Sequence, residues 1–218
     1  MSSQLARFRH IAIEGPIGAG KTSLARKLAA RLGAELMLER PAENPFLDRF
    51  YADMAGYAFQ TQLFFLFQRQ KQVQAIAQPN VFGAAVVSDF MLAKDALFAR
   101  LTLSDEEHRL YAQMYAQVAA QVREPDLVVW LQASPETLLA RVRRRGVAME
   151  HAIDTDYLGR LCDAYAEHFR AYDGAPVFAV DTEHVNFVER DLDVAHLLDR
   201  LDRFEGRRDS LGPPTPLQ

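Results

Sequence analysis

His10-Ile11-Ala12-Ile13-Glu14 runs directly into Gly15-Pro16-Ile17-Gly18-Ala19-Gly20-Lys21-Thr22. The first part is a short apolar run that reads as a strand. The second matches G-x-x-x-x-G-K-[ST]. Leu24, Leu28 and Leu32 then recur on one helical face as far as Gly33, a natural helix stop. Strand, loop and helix in this order are the context in which the motif binds a nucleoside triphosphate. Gly15, Gly18 and Gly20 can take backbone angles closed to other residues, so successive N–H groups can turn onto phosphate oxygens. The helix starting near Lys21 adds its positive end. Lys21 is expected on the β and γ oxygens, and the Thr22 hydroxyl on Mg²⁺. The bland alternative, a glycine-rich turn without a ligand, explains less of the pattern.

Outward from this loop, apolar runs alternate with helical periods. Glu35–Glu39 reads as a second strand, and Phe59–Ala77 as a long helix stopped near Pro79. Ala84–Asp89 is a buried strand that ends on a carboxylate, as a metal-holding acid in such folds does. Glu106–Val122 is helical and closed by Pro125. Asp126–Gln132 is a further strand, after which Ser134 caps a helix with Pro135 in its first position. Tyr157–Tyr172 is helical, Pro176–Asp181 a fifth strand, and Val194–Phe204 a last helix. Continuous apolar strands separated by helices predict an α/β fold with a parallel sheet covered on both faces. With no repeat and no linker, residues 1–204 read as one domain. The polar, Pro/Gly-rich residues 205–218 read as a disordered tail.

Composition narrows the classes. The chain has 218 residues, of which 49% are hydrophobic, enough for one sizeable core. A net charge of −4 argues against a non-specific nucleic-acid or anionic-membrane binder but permits a local positive pocket. Cys162 is the single cysteine, so no intrachain disulfide forms, and its register with Leu158, Leu161 and Tyr165 makes it a small buried hydrophobe. Met1–Arg9 lacks a signal-peptide pattern, and no apolar stretch is long enough to cross a bilayer. The expectation is a cytoplasmic, unanchored protein. The absence of N-K-x-D weakens a GTPase reading.

Further segments follow the loop in a specific order. They are Glu39…Glu43-Asn44-Pro45-Phe46-Leu47…Phe50-Tyr51, Phe59-Gln60-Thr61-Gln62…Phe65-Leu66…Arg69, Ser88-Asp89-Phe90, and Arg141…Arg144-Arg145…Glu150…Ile153…Tyr157-Leu158. From about Arg9 to about Val188, the chain resembles the deoxynucleoside kinase family, most closely its bacterial deoxyguanosine kinase branch. The resemblance implies five parallel strands with flanking helices, an Arg-rich lid, a homodimer, and ATP with Mg²⁺. It implies that Glu39 takes the proton of the 5′-hydroxyl, that Tyr51 and Glu150 hold the sugar 3′-hydroxyl, and that Gln62 and Arg69 read the base edge. Arg141 and Arg145 correspond to lid arginines over the ATP phosphates and adenine, and Asn186-Phe187 to an adenine-contacting loop. Asp89 corresponds to a metal-shell or substrate-contacting acid. One departure stands out: some members carry acid-Arg-Ser where this chain has Ser88-Asp89-Phe90, so no arginine stands there.

The residues carry readings of their own. Glu39 closes a strand at the carboxyl edge of the sheet, where open α/β folds bind ligands. Gln62 and Arg69 share one helix face. From spacing alone an exposed face, with Phe59, Leu63 and Phe67 inward, stays open. Tyr51 also fits a core aromatic, and Arg141 and Arg145 a solvated basic face. The expected acceptor is deoxyguanosine, with deoxyadenosine second. The rivals are a nucleoside monophosphate kinase, which needs cations beyond Arg40 near Glu39, and a non-catalytic ATP-binding switch.

Overall fold

The computed structural model describes residues 4–77 and 84–212. The strands are β1 (His10–Glu14), β2 (Glu35–Met37), β3 (Val86–Ser88), β4 (Leu127–Gln132), β5 (Val177–Asp181) and β6 (Arg208–Leu211). They form one six-stranded sheet in the order β2-β3-β1-β4-β5-β6, with every pair parallel. Both faces are covered, as the apolar strands require. Side chains alternate across the sheet with period two. Ile11, Ile13, Val129 and Leu131 point to one core, and Ala12, Val128 and Trp130 to the other.

The helices are α1 (Lys21–Leu32), α2 (Leu47–Ala52), α3 (Met54–Ala77), α4 (Ala93–Thr102), α5 (Asp105–Ala119), α6 (Pro135–Arg145), α7 (Thr155–Ala171) and α8 (Asp191–Asp202). Leu24 and Leu28 of α1 join Val194 and Leu197 of α8 on the first face. Leu161, Tyr165 and Phe169 of α7 cover the second. Helices α3, α4 and α5 make a separate group around Leu66, Ala99, Tyr111 and Val118. Ser134 caps α6 with Pro135 in first position, as its sequence predicts.

Three expectations need correction. The sheet has six strands, not five. The sixth, β6, lies in the stretch read as disordered. It is an edge strand in which only Leu211 is buried, so no apolar run betrays it. Arginines anchor it: Arg208 donates to the carbonyls of Phe169 and Tyr172, each at 2.7 Å, and Arg200 pairs with Asp209 at 3.1 Å. Second, β2 stops at Met37 rather than Glu39, because Asp89 Oδ1, not β3, accepts the Glu39 N–H at 2.7 Å. Third, α2 and α4 were not anticipated. The inward residues of α4 include Lys94 and Asp95, which break its apolar period. Pro79 and residues 213–218 lie outside the described residues. No helix among the described residues is long and apolar enough to cross a membrane.

Candidate active site

The loop between β1 and α1 takes the shape its glycines allow. Gly15, Gly18 and Gly20 have φ of 145°, 88° and 96°. Gly15 also lets the loop approach β4, since a Cβ there would sit 2.4 Å from the Leu131 carbonyl oxygen. Gly20 caps α1 without any side-chain bond to its first turn, so those N–H groups are available to an anion. Lys21 Nζ folds back on the carbonyls of Gly15 (2.7 Å) and Pro16 (3.0 Å). Burial, with the nearby Lys94 charge, pushes the Lys21 amine down to about 8.

Asp89, just past β3, joins this loop to the end of β2. Its Oδ2 accepts from Thr22 Oγ1 at 2.5 Å and its Oδ1 from the Glu39 backbone at 2.7 Å. The Glu39 carboxylate therefore faces the same space as the loop. Arg69 of α3 donates to Glu39 Oε1, and Lys94 of α4 reaches Oε2 at 2.7 Å. Burial opposes ionisation of Glu39, but Arg69 and Lys94 outweigh it and hold the carboxyl well below the usual range.

A cavity of about 480 Å³ opens among these groups, a size suited to a small ligand. Lys21, Thr22, Glu39, Asp89 and Lys94 line it. So do Gln62, Phe65, Arg69 and Phe98, with Tyr51, Arg145, Glu150 and Tyr157. The exposed-face alternative for α3 fails: Gln62 and Arg69 are 2% and 3% exposed, whereas Phe67 is 47% exposed. Arg69 also pairs with the fully buried Asp95 and lies over the Phe65 ring at 5.0 Å. Arg145 Nη2 donates to both Glu150 oxygens at 2.6 Å. Burial, then Tyr157 and Glu150, raise the Tyr51 hydroxyl far above its ordinary value, keeping it a neutral donor. Thr61 Oγ1, Tyr157 OH, Arg69 Nε and Asp95 Oδ2 are buried without a protein partner, an arrangement that calls for a ligand or water.

Every residue expected to touch the acceptor thus lines one cavity. Several of those expected around ATP do not. Arg141 turns to Thr182, donating to its Oγ1 at 2.9 Å and its carbonyl at 2.6 Å. Phe187 is packed in the core, and Asn186 caps its own turn through Val188 and Glu189. Gly15, Pro16 and Ala19 shape the loop from behind the wall. Sequence reasoning missed Lys94, Asp95 and Glu14. Glu14 is buried and accepts from Met91 N at 2.8 Å and Tyr165 OH at 2.9 Å, and burial raises its pKa. The only signal for Lys94 and Asp95 was two charges inside the apolar run Met91-Leu92-Ala93-Lys94-Asp95-Ala96-Leu97-Phe98.

Comparison with known proteins points to one kinase family. The family model described as "Deoxynucleoside kinase" matches residues 11–204. The chain belongs to the deoxynucleoside kinase family. Among curated relatives of this kinase is a deoxyguanosine kinase of Bacillus subtilis, 35% identical over 183 residues, covering 82% of this chain and 88% of the relative. A deoxyadenosine kinase of Dictyostelium discoideum is 35% identical over 163 residues, covering 72% of this chain and 65% of the relative. Among solved structures, the M. mycoides deoxyadenosine kinase with dCMP and dCDP bound superposes with a TM-score of 0.77 at 27% identity, covering 89% of this chain and 100% of that one. The same M. mycoides enzyme has also been captured with dATP.

Proposed function

We propose that this kinase transfers the γ-phosphoryl group of ATP to the 5′-hydroxyl of a purine deoxynucleoside, deoxyguanosine foremost. The observation that carries the proposal is the Asp89 bridge. One carboxylate holds both Thr22 of the phosphate loop and the backbone of Glu39, so acceptor acid and triphosphate cradle share one cavity. In the reaction the 5′-oxygen bonds to the γ-phosphorus, the bond from that phosphorus to the β–γ bridging oxygen breaks, and the hydroxyl proton passes to Glu39. A strongly ionised carboxylate is a weak base, so its main work is orientation. The proton moves once the forming bond has acidified the hydroxyl.

Lys21 and Arg145 face the phosphates, and Arg141 joins them when the lid closes. Asn186 and Phe187 are assigned to the loop on the adenine side, with Phe187 supporting that loop from the core. Tyr51 and Glu150 hold the 3′-hydroxyl. Thr22 and Asp89 offer the hard oxygens that Mg²⁺ prefers. Among the described residues no group of three or more histidine, cysteine or acidic side chains forms a metal cage. A Mg²⁺ held by Thr22 and Asp89 would supply neutralisation of the phosphate charge. The Nη1 and Nη2 of Arg69 already serve Asp95 and Glu39, so the Gln62 amide on the same cavity wall, donor and acceptor in one group, meets the edge of either purine, which keeps deoxyadenosine as the second acceptor. A homodimer would cover apolar side chains such as Phe67 and Leu110, 47% and 50% exposed in the single chain. A lone cysteine suits the reducing cytoplasm.

Glu39→Gln tests the reading. Deoxyguanosine affinity should stay within about threefold, while the single-turnover rate falls by ~10²–10⁴-fold. A rate near wild type refutes the role of Glu39.

A further inference from the structure

Lys94 is 7% exposed, so its ammonium needs an answering charge. Its Nζ lies 2.7 Å from Glu39 Oε2 on the cavity wall. We propose that Lys94 is the positioning residue for Glu39: with Arg69 on Oε1 and Lys94 on Oε2, the carboxylate is fixed to meet the acceptor hydroxyl. This rests on the reading of Glu39 as the acceptor-orienting acid.

A buried lysine is costly unless its charge is answered, and the simplest explanation is charge balance. Arg69 is shared by Glu39 and Asp95, so one further cation neutralises the group. Charge balance alone does not explain where the ammonium goes. Asp95 adjoins Lys94 in sequence, is fully buried, and keeps Oδ2 without a partner. Adjacent positions on a helix point apart, so the Lys94 ammonium does not turn to that oxygen. It reaches across instead to Glu39, a carboxylate that fronts the cavity beside the phosphate loop.

The arrangement also makes up for what β3 lacks. Phe90 is fully buried and leaves the end of that strand without a cation. The first turn of α4 supplies one, a helical turn further along the chain. The ammonium lies close enough to the phosphate loop that Lys21 feels its charge beside those of Glu14, Glu39 and Asp89. The Glu39–Lys94 pair therefore stands at the junction of acceptor and triphosphate. Two cations gripping separate oxygens leave the remaining lone pairs, of about four on a carboxylate, to the incoming hydroxyl.

The test uses the full chain with Lys94→Met, Lys94→Gln, Lys94→Arg, Glu39→Gln and the double variant Glu39→Gln/Lys94→Met. Single-turnover transfer from ATP to deoxyguanosine is measured, with deoxyguanosine affinity by equilibrium dialysis and folding by circular dichroism. Lys94→Met is expected to slow transfer ~10²-fold while affinity stays within about threefold, the mark of misplacement rather than lost binding. Lys94→Arg should recover most of that loss. Lys94→Gln, which keeps a donor without the charge, should fall between, and it carries the test should Lys94→Met fail to fold. The double variant should be no slower than Glu39→Gln within about threefold, because residues acting as a unit are not additive. Wild-type transfer in folded Lys94→Met or Lys94→Gln overturns the proposal, as does a double variant whose loss is the product of the single losses. Wild-type transfer in Glu39→Gln instead sinks the reading of Glu39 itself.

Discussion

Gly18→Ala and Gly20→Ala separate backbone strain from collision in the phosphate loop. Both glycines have positive φ, 88° and 96°, a conformation that costs another residue ~1–2 kcal/mol. Their surroundings differ. A Cβ on Gly20 meets nothing within 4 Å, whereas one on Gly18 lies 2.7 Å from the Leu138 carbonyl oxygen and 3.2 Å from Val142 Cγ2. Leu138 belongs to α6, so the obstacle is helix backbone and cannot swing aside. Overpacking of this kind adds ~1–3 kcal/mol. Gly18→Ala should therefore cost about 3 kcal/mol, and Gly20→Ala about half as much. In a chain of this size that is a Tm drop of roughly 6–12 °C against roughly 3–6 °C. If the loop yields rather than the helix, the cradle moves by a sizeable part of an ångström, the scale at which a site loses ~10²-fold. Thermal scans by circular dichroism and ATP titration by calorimetry read both effects. Equal Tm shifts in the two variants, with ATP affinity unchanged in Gly18→Ala, would refute the account of how α6 supports the loop.

Two further outcomes concern the strands beneath the site. Burial pushes the His10 imidazole down to about 4 from its ordinary 6.5, against the pull of Asp126. The unfolded chain takes its proton first, so stability is intact above about pH 6.5 and lost as pH falls toward 4. At pH 5 the loss is about 2 kcal/mol, and wild type should lose that much more than His10→Gln between pH 7 and pH 5 in thermal scans. Asp89→Asn should weaken ATP binding in Mg²⁺ by roughly tenfold and leave binding in EDTA unchanged, because it removes a hard oxygen charge beside Thr22; equal loss in both buffers would make Asp89 a loop strut only.

The phosphate loop and its strands were legible because local rules agree with the global fold there. Glycine placement, the Leu24, Leu28 and Leu32 period and the Ser134–Pro135 cap each have a short-range cause. The cavity residues Tyr51, Gln62 and Glu150 were legible only through the resemblance, since each looks ordinary in isolation. Lys94 and Asp95 escaped notice because burial of a charge depends on a partner distant in sequence: Lys94 answers Glu39 and Asp95 answers Arg69. The strand β6 escaped for the mirror-image reason. Its place is fixed by arginine bonds to helix carbonyls and by pairing with β5, neither of which leaves an apolar pattern. Arg69 shows the limit of reading roles from position, because the residue expected to read the base also pairs with Glu39.

The most direct measurement follows transfer of label from γ-labelled ATP to a panel of acceptors: the four deoxynucleosides, their ribose counterparts and deoxyguanosine monophosphate. The account predicts labelled 5′-monophosphate from deoxyguanosine first and deoxyadenosine second, with little from the ribonucleosides. Label passing to deoxyguanosine monophosphate in preference to the nucleosides, or to no nucleoside while ATP still binds, would contradict it.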